Sequence, residues 1–274
     1  MKHSQLTYQI RGEVFKIYNK LGPAWKENTY EEFLACNLKK ANLNVERQKQ
    51  MTLYYKGKKV GLFRPDIIVE NKIILELKAV PEIIPLHKAQ TINYLKASNL
   101  DLALLINFGG SSAIVNAFPN YFNDFRNIEN KKIKTYNNSE IQLNNKDNLI
   151  YPELSEKILA IAYEIHRCFG PGFFHRIYRR SFWEEMRRQG IDFKFEKQAR
   201  IILENKIVEE MDIYVFNIEN KILLSTVASN RIDDQLKLKI KFLLKYFNLP
   251  LGLIINFSNL NLDYYFIKPK IPNP

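Results

Sequence analysis

The sequence predicts an α/β protein made of two tandem units, each a mixed central sheet flanked by helices in the order α-α-β-β-β-α-β. The first observation behind this is internal repetition. Residues 94–108 read YLKASNLDLALLINF and residues 243–257 read LLKYFNLPLGLIINF, identical at nine of fifteen positions. Gly22-Pro23 with Tyr30 recurs as Gly170-Pro171 with Tyr178, and Asn71-Lys72-Ile73 recurs as Asn220-Lys221-Ile222. Three matches in one order, 148 or 149 residues apart, mark a duplication. The second observation is that each repeat passes from helical to strand periodicity and back. The third is composition: 274 residues that are 46% apolar and 13% aromatic suffice for packed cores and exclude a disordered chain.

In the first repeat Ile10, Val14, Ile17 and Leu21 recur at three- and four-residue steps, the stripe of an amphipathic helix. Gly22-Pro23 ends it, because proline cannot continue the ladder and glycine accepts the terminal geometry. A second helix starts near Asn28 or Thr29 and is expected to bury Tyr30, Phe33, Leu34, Leu38 and Ala41. Strands follow at 51–55, at 60–69 after a Lys56-Gly57-Lys58 turn, and at 72–80 after a tight turn at Glu70-Asn71. A helix over about 85–98 leads to a strand at 102–108. Residues 121–149 are rich in Asn and Lys with little periodicity beyond a weak alternation at Ile133 and Tyr136. The expected boundaries are therefore 1–125 for the first unit, 126–150 for a connector and 151–274 for the second unit, the two units forming an intramolecular pseudo-dimer.

Charge bounds the partners. The chain carries 41 Lys+Arg against 29 Asp+Glu, a net +12. Such an excess favours polyanions through phosphate neutralisation and counterion release, although it also serves solubility, and charge alone does not choose. Residues 1–150 carry +8 and the remainder +4, so neither half stands out as the binding half. Cys36 and Cys168 are the only cysteines and neither has metal-ligand spacing, which argues against zinc ribbons and disulfide frameworks and fits a reducing cytoplasm. The N-terminus lacks the apolar core of a signal peptide and no apolar run is long enough to span a bilayer. The expectation is a cytoplasmic protein with no membrane partner.

The most informative passage is Ile73-Ile74-Leu75-Glu76-Leu77-Lys78-Ala79-Val80. Apolar residues on both faces mark a buried strand, where charges are costly unless they pair or hold a metal. Glu76 and Lys78, two apart, project to one side of the sheet, and the Glu70-Asn71 turn brings Asp66 almost opposite Glu76. Two carboxylates and one lysine thus cluster on one face. Hard divalent cations such as Mg²⁺ or Mn²⁺ choose such oxygen donors and leave positions for water and phosphate. Lys78 would stabilise charge developing on a phosphoryl oxygen.

The first repeat resembles the GxxExxY family of the PD-(D/E)XK nuclease superfamily. Gly22-Pro23-Ala24-Trp25-Lys26-Glu27-Asn28-Thr29-Tyr30 looks like the namesake motif, with Ala24 where that family has its second glycine. Arg64-Pro65-Asp66 with Glu76-Leu77-Lys78 resembles the superfamily's catalytic signature, and Gln90-Thr91-Ile92-Asn93-Tyr94 is similar to the QxxxY motif of its RecB-like branch. The resemblance covers about residues 8–110 and recurs more weakly over 157–258. It implies a metal-dependent nuclease acting on nucleic acid, with DNA as the expected substrate. Asp66 and Glu76 would be metal ligands, and Glu27 would complete the acidic site, unless it is only a helix-start carboxylate. Gln90 and Tyr94, one helical turn apart, would orient Lys78 or hold the substrate backbone. His87 is expected on a different, solvent-facing side of that helix, exposed or as a minor phosphate contact.

Aligning the repeats sets Glu27 against His175, Glu76 against Ser225, Lys78 against Val227, Gln90 against Lys239 and Asp66 against Asp212. A lone aspartate is a poor Mg²⁺ site, so the second unit is expected to be catalytically dead. Arg176, Arg179, Arg180 and Arg187 fall on one broad helical face and, with Lys239, suit phosphate oxygens. The competing view of that face is a solvated surface balanced by Glu184 and Glu185. The rival view of the whole chain is a non-catalytic nucleic-acid-binding or assembly protein.

Overall fold

The computed structural model describes residues 3–120, 150–204 and 206–269. The chain divides into two compact units, Met1–Ile133 and Lys134–Pro274. The dividing point, most of the expected connector and the weak Ile133/Tyr136 strand lie outside the described residues.

Unit 1 opens with α1 (Ser4–Leu21), which buries Thr7, Ile10, Val14 and Ile17 along the stripe expected from their spacing. Gly22 closes the helix at φ 68°, a left-handed value that favours glycine, and its N–H reaches Tyr18 O at 2.8 Å. Helix α2 (Glu27–Lys40) buries Tyr30, Glu31, Leu34, Ala35 and Leu38. Phe33 and Ala41, expected in the core, are exposed instead, since they fall off the 30–34–38 row. The Lys20 ammonium sits over the Phe33 ring, 5.8 Å from its centroid.

The strands are β1 (Val45–Arg47), β2 (Met51–Tyr55), β3 (Lys58–Phe63), β4 (Ile67–Val69), β5 (Ile73–Lys78), β6 (Leu102–Asn107) and β7 (Ile114–Pro119), with α3 (Pro85–Ser98) between β5 and β6. Their sheet runs β1-β4-β5-β6-β7, while β2 and β3 form a separate hairpin. Only the β5–β6 pair is parallel, and α3 is the crossover that a parallel pair requires. The strand expected at 60–69 is two strands broken at Arg64-Pro65-Asp66, because proline has no N–H for the ladder. The short β1 and the half-buried edge strand β7 were not expected from periodicity.

Unit 2 repeats this plan with α4 (Pro152–Phe169), α5 (His175–Arg188), β8 (Phe193–Leu203), β9 (Lys206–Ile218), β10 (Ile222–Val227), α6 (Asp234–Tyr246), β11 (Leu251–Asn256) and β12 (Asp263–Ile267), in the sheet order β12-β11-β10-β9-β8. Here β8 and β9 run unbroken through the positions that unit 1 divides among β1 to β4. Among the described residues no helix is long and apolar enough to cross a membrane.

Two polar devices recur in both units. Tyr30 Oη donates to Gly22 O (2.5 Å), accepts from Trp25 N (3.2 Å), and its ring stacks on Phe108 at 4.3 Å. Tyr178 does the same with Gly170 O (2.7 Å), Phe173 N (3.2 Å) and Phe257 (4.4 Å). The Asn107 side chain clamps Val80 N and O, and Asn256 clamps Ser229 N and O at matching distances. The repeated tyrosine and asparagine therefore hold the ends of the helices and strands that frame each site. Tyr30→Phe keeps the ring stack but leaves the half-buried Gly22 carbonyl and the Trp25 N–H short of a partner. It is expected to cost about 0.5–1.5 kcal/mol, readable as a lower denaturation midpoint at unchanged m-value.

Candidate active site

Four elements of unit 1 meet at one end of its sheet. The α1–α2 loop, fixed by the Tyr30 clasp, delivers Glu27 as the first residue of α2. Glu70 and Asn71, both at positive φ, make a two-residue hairpin turn in which Lys72 N bonds Val69 O at 3.0 Å. The β4–β5 register (Ile67 with Leu75, Val69 with Ile73) sets Asp66 opposite Glu76. Asp66 lies in the break before β4, where its Oδ2 accepts the Leu77 N–H at 2.8 Å and so fills the ladder from a side chain. Gly109 lets the chain after Lys78 pass close by, since a Cβ there would stand 2.4 Å from Val80 N.

Glu76 is 2% exposed, and its Oε1 is buried without a hydrogen-bond partner. Its Oε2 lies 3.8 Å from Lys78 Nζ, which is also 3.8 Å from Glu27 Oε1 and donates to Leu77 O at 2.8 Å. Both carboxylate contacts are ion pairs too long to be hydrogen bonds. Burial pushes the Glu76 carboxyl well above its ordinary pKa; Asp66 adds to the rise, Lys78 opposes it, and Glu27 contributes a smaller rise. Burial likewise raises Asp66, against the Leu77 hydrogen bond and Lys78, and raises Glu27, against Lys78. The carboxylates feel one another, so they face a common volume with too little compensating charge.

Among the described residues no three acidic, histidine or cysteine side chains form a ready metal cage. The Lys78 ammonium stands between Glu27 and Glu76, the placement that relieves carboxylate repulsion without another cation. The donors still suit a hard divalent ion. They are carboxylate oxygens, one of them buried and unpartnered, and Mg²⁺ needs only one or two such ligands beside its waters.

Helix α3 brings Gln90 and Tyr94 to this site. Gln90 Nε2 is 3.5 Å from Tyr94 Oη, and the Tyr94 ring packs against Phe63 at 5.1 Å. Burial, then the nearby Glu76, pushes the Tyr94 hydroxyl up to about 12, so it stays a proton donor. His87 is not on a separate solvent-facing side. It is half-buried, three and seven residues before Gln90 and Tyr94, and its pKa is lowered by burial and by Lys78. Sequence reasoning also missed Glu31 and Gln48. Glu31 is 3% exposed, pairs with Arg47 Nε at 2.9 Å and accepts Gln48 Nε2 at 3.0 Å, while Gln48 also reaches Asp66 Oδ1 at 3.4 Å. The available signal was position, because Glu31 stands one helical turn after Glu27 on the same face.

In unit 2 the corresponding place is a cavity of about 390 Å³ whose lining includes His175, Arg179, Ser225, Val227 and Lys239. The alignment of Asp212 with Asp66 does not match the strand register. The turns at 70–72 and 219–221 have equal length, and Ile222 pairs with Ile218 as Ile73 pairs with Val69. The residue opposite Ser225 is therefore Val215, 1% exposed, and Asp212 lies three residues earlier. A bulge between Glu196 and Gln198 and the positive φ of Tyr214 displace the chain there, and Asp212 still meets a glutamine, Gln198 Nε2, at 3.4 Å. Arg179 and Lys239 line the cavity, whereas Arg176 and Arg180 remain on the exposed face of α5. Glu185 is 4% exposed and accepts from Gln189 Nε2 at 3.0 Å.

A family model described as the PD-(D/E)XK nuclease superfamily matches the chain twice, over residues 4–116 and 152–267. Comparison with curated proteins gives no match, and neither does comparison with solved structures.

Proposed function

The chain belongs to the PD-(D/E)XK nuclease superfamily, and from that premise we propose that unit 1 hydrolyses phosphodiester bonds in nucleic acid, DNA foremost, with a divalent cation. The observation that carries this reading is the buried Glu76 carboxylate, with one oxygen unpartnered, facing Asp66, Glu27 and Lys78. Asp66 and Glu76 would hold Mg²⁺ or Mn²⁺, with Glu27 reaching it directly or through water. When bound, such an ion lowers the pKa of its water and neutralises phosphoryl charge. Lys78, held by Leu77 O, presents its ammonium to the scissile phosphate, and the protonated Tyr94 with Gln90 offers donors to the substrate backbone. The resemblance of the 22–30 segment, with Ala24 in place of the second glycine, and of the 90–94 segment to the GxxExxY and QxxxY patterns supports the same roles.

The test is an assay of the purified protein on supercoiled, linear and single-stranded DNA and on RNA with Mg²⁺, Mn²⁺ or EDTA. Cleavage of DNA with metal and none in EDTA is expected; EDTA-resistant cleavage, or binding without cleavage under every condition, would overturn the reading. The second outcome returns the chain to the non-catalytic alternative.

Unit 2 is proposed to be dead as a hydrolase, since Ser225, Val227 and Val215 stand where unit 1 has Glu76, Lys78 and Asp66. Asp212→Ala is therefore expected to leave the single-turnover rate at saturating protein within about twofold of wild type, well under the cost of one lost preorganised donor. A loss comparable to that of Asp66→Ala would mean that unit 2 takes part in the chemistry.

A further inference from the structure

The cavity of unit 2 has inverted charge relative to its counterpart. Glu27 and Glu31, one turn apart at the start of α2, are replaced by His175 and Arg179 at the start of α5. Gln90 is replaced by Lys239, and the loop after β10 adds Arg231. Four basic side chains thus converge from α5, α6 and a loop on one concavity of about 390 Å³. Arg179 is half-buried with its guanidinium over the Tyr214 ring, 4.7 Å from the centroid, and Lys239 Nζ is anchored on Asp212 O at 3.0 Å. Neither Arg179 nor Arg231 has a carboxylate within ion-pair distance among the described residues. The two aspartates of the lining are otherwise engaged: Asp233 caps α6 at Leu236 N (2.8 Å), and the Asp212 carboxylate takes Gln198 and the Tyr214 hydroxyl. Burial, then Arg179 and Arg176 beside it, holds His175 below its ordinary pKa.

We infer that this cavity binds a phosphomonoester group, the terminal phosphate of a nucleic acid strand or of a free nucleotide. A monoester carries a charge of about −1.5 to −2 and three acceptor oxygens, which suits cations arriving from three directions better than a diester in an open groove. The volume lies within the roughly 300–1,000 Å³ of small-ligand sites, room for a phosphate with part of its nucleoside. The choice of phosphate rests on the proposed action on nucleic acid. The test is run in EDTA, so its failure and the failure of the nuclease reading are distinguishable.

Fluorescence anisotropy of the full chain would compare one labelled single strand bearing a 5′-phosphate or a 5′-hydroxyl, with thymidine monophosphate as a separate ligand and competitor. The phosphorylated end is expected to bind at least about tenfold more tightly, the scale of one charge-assisted hydrogen bond. Arg179→Gln should abolish that preference, and so should Arg231→Gln, an exposed loop change that spares the fold. Thymidine monophosphate bound by wild type but not by the variants, without any preference between strand ends, would identify the free nucleotide as the source. Equal binding of both ends with no binding of the monophosphate would overturn the inference. A preference that survives both substitutions, or an equal loss for both ends in the variants, would overturn it as well.

Discussion

Replacing Glu76 by alanine is expected to lower phosphodiester cleavage by about three orders of magnitude or more, since a metal supplies several kcal/mol of transition-state stabilisation that is lost with its ligand. Asp66→Ala should do the same. The conservative Glu76→Gln separates this effect from damage to the fold. It keeps the shape of the side chain but removes a buried charge that lacks full compensation, so the metal-free variant is expected to be more stable than wild type near neutral pH. The sign follows from the raised pKa of Glu76. The folded protein holds that proton to a higher pH than the unfolded chain, so this contribution to stability is complete below the unfolded-state pKa and is lost as pH rises through the folded one. Denaturation midpoints in EDTA should fall with rising pH in wild type and fall less in Glu76→Gln. Mg²⁺ should raise the midpoint of wild type and not of the variant. Full cleavage by both Asp66→Ala and Glu76→Ala would remove the two residues from the site.

The duplication made much of the fold legible, because a repeat that is nine-fifteenths identical over one helix end and strand fixes the order of elements in both copies. Strongly periodic segments such as α1 and the apolar runs of β5 and β6 were readable for the usual reason, that burial imposes a period. Short or half-buried strands impose none. Strand β1 is three residues with two charges, and β7 is partly exposed along its whole length. The break between β3 and β4 was marked by Pro65 but hidden by the apolar residues on either side of it.

The site was legible where charge interrupts an apolar strand, as at Glu76 and Lys78. It was illegible where the necessary fact is a register. Asp66 opposite Glu76 could be deduced because the Glu70-Asn71 turn is tight. In unit 2 the repeat alignment sets Asp212 against Asp66, whereas equal turn lengths put Val215 opposite Ser225. Nor could sequence show that Lys78 stands between Glu27 and Glu76, since that depends on where the α1–α2 loop delivers Glu27.

That position of Lys78 leads to the second large effect. Lys78→Ala is expected to slow cleavage by roughly a hundredfold or more, the cost of losing one preorganised electrostatic donor. Lys78 is also the cation that partly compensates Glu27, Asp66 and Glu76, so its removal should leave the apo protein less stable at neutral pH and more dependent on added Mg²⁺. Metal affinity should hold or rise, because an ammonium no longer competes for the carboxylates. A third readout is independent of activity. Lys78 contributes to the lowered pKa of His87, so in the variant the His87 imidazole should titrate at a higher pH than in wild type. It should still titrate below an ordinary histidine, because burial is the larger cause. An NMR titration of the histidines would show this, with His166 unmoved as an internal control. An unchanged His87 would mean that Lys78 points elsewhere in solution. An unchanged rate at saturating metal, with His87 shifted, would leave Lys78 as a counter-charge without a part in the transition state.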